Sequence, residues 1–120
     1  KQVGPEGIET PSNIGPFLLW QQPHPIYLAE LIRRVDPTAL DRYAELVDAT
    51  ADFMADVVVE RDGRFHLDAP IIPAQESYTA TRATNADPTF ELAYWRWALQ
   101  VATRWRALRG TSAPESWMRV

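Results

Sequence analysis

The stretch Ile72-Pro73-Ala74-Gln75-Glu76 ends in a carboxylic acid. Asn85 follows it in the same loop, and a helix then opens Phe90-Glu91-Leu92-Ala93-Tyr94-Trp95. An acid in a loop, amides beside it and flat rings behind it are the parts that cleavage of a glycosidic bond requires. The acid protonates the departing oxygen, the amides bond hydroxyl pairs, and the rings cover a sugar face. Glu76 is the acid candidate, with Gln75 and Asn85 as substrate-binding neighbours. Partial burial between Ile71-Ile72 and the aromatic helix would keep its carboxyl protonated near neutral pH.

A second constellation is Trp20-Gln21-Gln22-Pro23-His24-Pro25. An indole face stacks on a sugar, glutamines offer both donor and acceptor, and two prolines hold His24 stiffly. Trp20, Gln21, Gln22 and His24 are therefore candidate substrate-binding residues. Inverting hydrolysis also needs a base about 6.5–9.5 Å from the acid. Asp87 and Glu91 sit at a helix start, where capping and the helix dipole account for acidic residues, and Asp68 is read as a turn residue. The base is expected outside this segment, or an anion such as phosphate takes its place. His24 and His66 have no spaced partners, so no metal site and no cofactor are expected.

Composition narrows the field. The chain has 120 residues, enough for one domain, and its 46% hydrophobic content is enough for a core. The net charge of −4 is mixed along the chain with no basic stripe, which argues against nucleic acid or an anionic membrane as a partner. No apolar run approaches the roughly 20 residues of a membrane span. The absence of cysteine excludes disulfides and thiol chemistry.

These groups must be carried by the following elements. Residues 1–25 are read as a loop region punctuated by Gly4, Pro5, Gly7, Pro11, Gly15 and Pro16. A first helix is predicted over about 26–34, with Leu28, Leu31, Ile32 and Val35 as its stripe. A second is predicted over about 40–58, with Tyr43, Leu46, Val47, Thr50, Phe53, Met54, Val57 and Val58 on one face and acids on the other. Asp62-Gly63 predicts a short β-hairpin near 57–67. The segment 68–88 is the active-site loop. A long aromatic helix runs 89–109 and stops at Gly110. Its first half is apolar nearly all round, so it should be covered on more than one side. Residues 111–120 read as the start of a further helix, with Ser112 as cap. The chain is accordingly expected to be a segment of a larger protein.

The order of these features resembles a known family. Arg42-Tyr43-Ala44-Glu45-Leu46-Val47-Asp48-Ala49-Thr50-Ala51-Asp52-Phe53 is followed by the Asp62-Gly63-Arg64-Phe65 turn, by Pro73-Ala74-Gln75-Glu76 with Tyr78 and Asn85, and by the aromatic helix. Together these are similar to the catalytic domain of maltose, trehalose and kojibiose phosphorylases and acid trehalases (glycoside hydrolase family 65), members of the six-hairpin glycosidase superfamily. Ala74 and Gln75 stand where that family has Pro-Asn, and the Asn-rich stretch is reduced to Thr84-Asn85-Ala86-Asp87-Pro88.

The resemblance implies an all-α fold, a fragment of an (α/α) six-hairpin barrel. It implies Glu76 as general acid, His24 at the start of an inner helix, and an oligosaccharide or glycoside substrate. Inorganic phosphate is a second substrate if the reaction is phosphorolysis. The expected function is that of a glycoside hydrolase or inverting phosphorylase segment, inactive in isolation. The alternatives are a non-catalytic carbohydrate-binding domain and a helical protein-interaction domain.

Overall fold

The computed structural model of the chain describes residues 2–3, 5–10, 14–74 and 78–120. It is mostly helical. Among the described residues five α-helices carry it: α1 (His24–Arg33), α2 (Ala39–Arg42), α3 (Ala44–Val57), α4 (Thr89–Leu108) and α5 (Glu115–Arg119). Two antiparallel strand pairs accompany them, β1 (Gln2–Val3) with β2 (Glu9–Thr10) and β3 (Val59–Arg61) with β4 (Arg64–His66). The first pair lies in the region expected to be all loop, so one correction to the all-α reading is a second small strand pair.

The hairpin between β3 and β4 forms where Asp62-Gly63 predicted it. Arg61 pairs with Arg64, and both intervening residues have positive φ, 52° at Asp62 and 72° at Gly63. Two left-handed residues in a row match the twist of the flanking strands, which is why Asp-Gly is favoured there. Gly110 ends α4 in the same way. Its φ is 71°, its N–H reaches the Ala107 carbonyl, and the Thr111 N–H reaches the Arg106 carbonyl. These two bonds satisfy carbonyls that the helix end leaves open.

The predicted second helix is two helices. Tyr43, at φ −109° and ψ 12°, leaves helical geometry between α2 and α3, while its ring packs against the core. α3 buries Val47, Ala51 and Met54. Leu46 and Phe53, predicted for the same stripe, are each 45% exposed, because α1 and α4 cover a narrower face than the apolar pattern offers. Ser112 does not cap α5, whose first turn follows Pro114 with no side-chain cap.

The core is built from α1, α3 and α4, and polar anchors set their directions. Glu30 of α1 accepts the indole N–H of Trp105, and Tyr94 meets His24, so α1 and α4 run parallel. The Trp95 indole donates to the Met54 carbonyl, and Asp48 pairs with Arg106 and Arg109, so α3 runs antiparallel to α4. Trp95 and Trp105 are buried at the centre with Ile26, Val47, Met54 and Val101. α5 docks through Trp117, whose indole donates to Asp52 and whose ring lies under Arg106.

The result is flat, 46 × 45 × 19 Å, with a radius of gyration of 15.8 Å. A compact domain of this length has about 14 Å. Among the described residues no helix is long and apolar enough to cross a membrane, and no acidic, histidine or cysteine group of three could hold a metal ion.

Candidate functional site

The parallel course of α1 and α4 brings their N-terminal ends side by side, and two loops arrive at the same end. The strand of loop that leads into α1 is joined to the loop that leads into α4 by a hydrogen bond from the Ile72 N–H to the Phe17 carbonyl, 2.9 Å. Arg82 lies over the Phe17 ring. The Pro-His-Pro corner and the 68–88 loop therefore share one edge of the fold.

At that edge the rings form a chain. Trp20 meets His24 edge to face, with ring centres 5.5 Å apart, and His24 meets Tyr94 at 5.6 Å. Tyr94 stacks on Trp97 at 5.7 Å and tilts against Phe90 at 5.8 Å. The Tyr94 hydroxyl is 3.2 Å from His24 Nδ1. Burial pushes the Tyr94 hydroxyl above the usual phenol range, with the neighbouring Tyr27 adding to the shift. The hydroxyl is therefore protonated at neutral pH and can donate to Nδ1; in that arrangement the ring proton of His24 sits on Nε2. Among the described residues the indole Nε1 of Trp20, hidden from solvent, has no hydrogen-bond partner, and a bound hydroxyl or water would satisfy it.

Recesses flank this chain. One of about 470 Å³ is lined by His24, Tyr27, Phe90, Ala93 and Tyr94. Another, of about 340 Å³, is lined by Pro73, Tyr78, Asn85, Thr89, Phe90 and Glu91, so the two meet at Phe90. A third, about 470 Å³ and strongly apolar, runs from Gln21 and His24 along Leu28 and Ile32 to Tyr43 and Leu46.

Trp20 and His24 are thus brought together. Gln21 is exposed and lines the apolar recess, whereas Gln22 is half-buried and does not line it. Asn85 is committed within the loop: its amide donates to the carbonyls of Ile71 and Tyr78, and its oxygen accepts from the Thr81 hydroxyl at 2.9 Å. Gln75 and Glu76 lie outside the described residues.

The two acids assigned to helix capping have other partners. Asp87, at φ 49°, holds the hairpin to the helix entrance. It accepts the Leu67 N–H at 2.9 Å and meets His66 Nδ1 at 2.6 Å. Glu91 is buried, 1% exposed, and accepts the Ala74 N–H at 2.7 Å. The sequence reading missed Glu91 and Tyr94 as site residues. The signal was a carboxylate between Phe90 and Leu92 on an otherwise apolar first turn, since a buried charge requires a specific partner.

Comparison of the chain with family models, with curated proteins and with solved structures gives no match.

Proposed function

We propose that the chain is part of a helical catalytic barrel that cleaves glycosidic bonds, with Glu76 as the general acid. The observation that carries this reading is the convergence of the loop before α1 and the loop before α4 on one edge, joined at Phe17 and Ile72. That edge also carries a histidine, an indole N–H with no partner among the described residues, and a run of rings. The parallel pair α1 and α4, backed by the antiparallel α3, supports this reading, since an (α/α) barrel sets parallel inner helices against antiparallel outer ones. The flat shape supports this too, since a barrel wall exposes apolar groups that neighbouring hairpins cover.

In this reading Glu76 gives its proton to the leaving oxygen as the bond from the sugar carbon to that oxygen breaks. Water, activated by a base, or inorganic phosphate attacks the opposite face of the ring, giving inversion. Trp20, Gln21, Gln22 and His24 line the sugar site with Tyr94 and Phe90. Replacing Glu76 by Gln in the full-length protein should lower turnover of an oligosaccharide by about 10²–10⁴-fold. Survival of activity within about tenfold rejects the acid role.

A second reading, a helical protein-interaction domain, is favoured by the apolar recess between α1 and α3, where Leu28 is 55% and Leu46 45% exposed. It predicts protein binding without any sugar binding, so calorimetric titration with oligosaccharides separates the two.

A further inference from the structure

We propose that the recess between α1 and α4 binds a quaternary ammonium group, held by the rings of Tyr27, Phe90 and Tyr94. The recess adjoins the proposed sugar site through His24, but the inference does not rest on the glycosidic reading. It has a volume of about 470 Å³ and is lined by His24, Tyr27, Phe90, Ala93 and Tyr94. Phe90, Ala93 and Tyr94 are spaced to share one face of α4, with Trp97 one turn further on. His24 and Tyr27 are spaced the same way on α1. The parallel course of the helices sets His24 against Tyr94 at 5.6 Å and Tyr27 against Trp97 at 5.9 Å between ring centres.

An aromatic ring attracts a cation through its quadrupole, and the attraction reaches about 6 Å from the ring centre. Phe90 and Tyr94 have centres 5.8 Å apart, and Trp97 backs Tyr94 at 5.7 Å. One ammonium seated among them is therefore within reach of several rings. Among the described residues that line the recess there is no lysine, arginine, amide or carboxylate. The Tyr94 hydroxyl is already engaged with His24 Nδ1. The hydroxyl pairs of a sugar would find few partners in this lining. A quaternary ammonium forms no conventional hydrogen bond and needs none.

The surrounding charge agrees. Glu91 lines the adjoining recess, which shares Phe90. It accepts the Ala74 N–H, and among the described residues no arginine pairs with it. A carboxylate without a cationic partner favours a cation beside it. The dipoles of the two helix starts oppose one, but that effect fades beyond the first turn. Tyr27, Ala93 and Tyr94 stand beyond it. Ala93 is exposed and lines the recess, so a larger side chain there would occupy the space the ammonium needs.

The test is calorimetric titration of the full-length protein with choline and with tetramethylammonium at constant ionic strength. The control is dimethylbutanol, the neutral carbon isostere of choline. Choline should bind about tenfold more tightly than the isostere, or better. Ala93→Leu, at an exposed helix position, should keep the thermal midpoint and weaken choline about tenfold or more. Phe90→Ala should weaken it about fivefold, whereas Phe90→Tyr should not. Where Ala93→Leu does not fold, the Phe90 pair carries the comparison. Vesicles of phosphatidylcholine separate the two sources of the group: co-sedimentation assigns a lipid headgroup, its absence a free compound, and both keep the ammonium chemistry.

Equal affinity for choline and its isostere would overturn the proposal, because charge would then play no part. So would choline binding that survives both Ala93→Leu and Phe90→Ala, or no saturable binding of either cation at millimolar concentrations. Each of these outcomes leaves the glycosidic reading standing, since that reading is decided by Glu76→Gln, and its failure there leaves the ammonium recess as it is.

Discussion

The hydroxyl of Tyr94 lies 3.2 Å from Nδ1 of His24, joining the second turn of α4 to the first turn of α1 across 70 residues of chain. One bond aligns two helix starts and fixes the orientation of the imidazole. Tyr94→Phe keeps the ring and its stacking on Trp97 but removes the bond. On the proposed glycosidic reading, oligosaccharide affinity, read by titration calorimetry, should fall about two- to tenfold, as for a typical hydrogen bond. The thermal midpoint should move little. An unchanged affinity would separate His24 orientation from binding.

Glu30 is the polar centre of the packing between α1 and α4. It accepts from Arg33 at 2.8 and 2.9 Å, from Arg34 at 3.3 Å and from the Trp105 indole at 2.8 Å. The Arg33 guanidinium, against the opposing effect of burial and aided by Trp105, holds its carboxyl at about 2 rather than 4.5. A depressed carboxyl stabilises the fold above its unfolded value, and that contribution disappears as pH falls from about 5 through 2. The amount is of order 3 kcal/mol. Urea unfolding of the wild type should weaken across that window, and Glu30→Gln should be less stable at pH 7 with a flatter acid limb.

Asp87 ties β4 to the entrance of α4. Asp87→Ala loses the bonds to Leu67 and His66 and places alanine at φ 49°. The expected destabilisation is about 2–3 kcal/mol by denaturant unfolding, mostly from the lost charged hydrogen bonds. Asn tolerates the left-handed region and keeps one acceptor, so Asp87→Asn should cost about half as much. Equal effects would show that the carboxylate, and not the backbone conformation, is what matters.

Gly110→Ala tests the end of α4 in isolation. A Cβ there meets nothing within 4 Å, so only the φ of 71° opposes it. About 1 kcal/mol of stability should be lost. A smaller loss for Gly110→Asn than for Gly110→Ala would assign the effect to backbone strain.

Much of the fold was legible because its causes are local. The spacing of Leu92, Trp95, Leu99 and Ala102 marks a helix wherever it lies in the chain. Asp62-Gly63 turns the hairpin and Gly110 stops α4 because left-handed backbone is a property of those residues in place. The mostly helical class, the hairpin and the long aromatic helix follow from that. The break at Tyr43 does not, since the apolar period continues through it, and the geometry there is set by packing of the ring on neighbouring helices.

The candidate site was legible by residue type and not by partner. Trp20 and His24 could be singled out by composition, and they do meet. Asn85, Asp87 and Glu91 were equally visible, but their partners, Ile71 and Tyr78, Leu67 and His66, and Ala74, are up to 21 residues away. Periodicity and propensity alone determined where this chain forms helices and turns. Only the tertiary structure decided that α1 and α4 run parallel and which backbone groups the buried acids hold. Hydrogen-bond partners are chosen by proximity in space after the core has packed, and one chain position carries no measure of that distance.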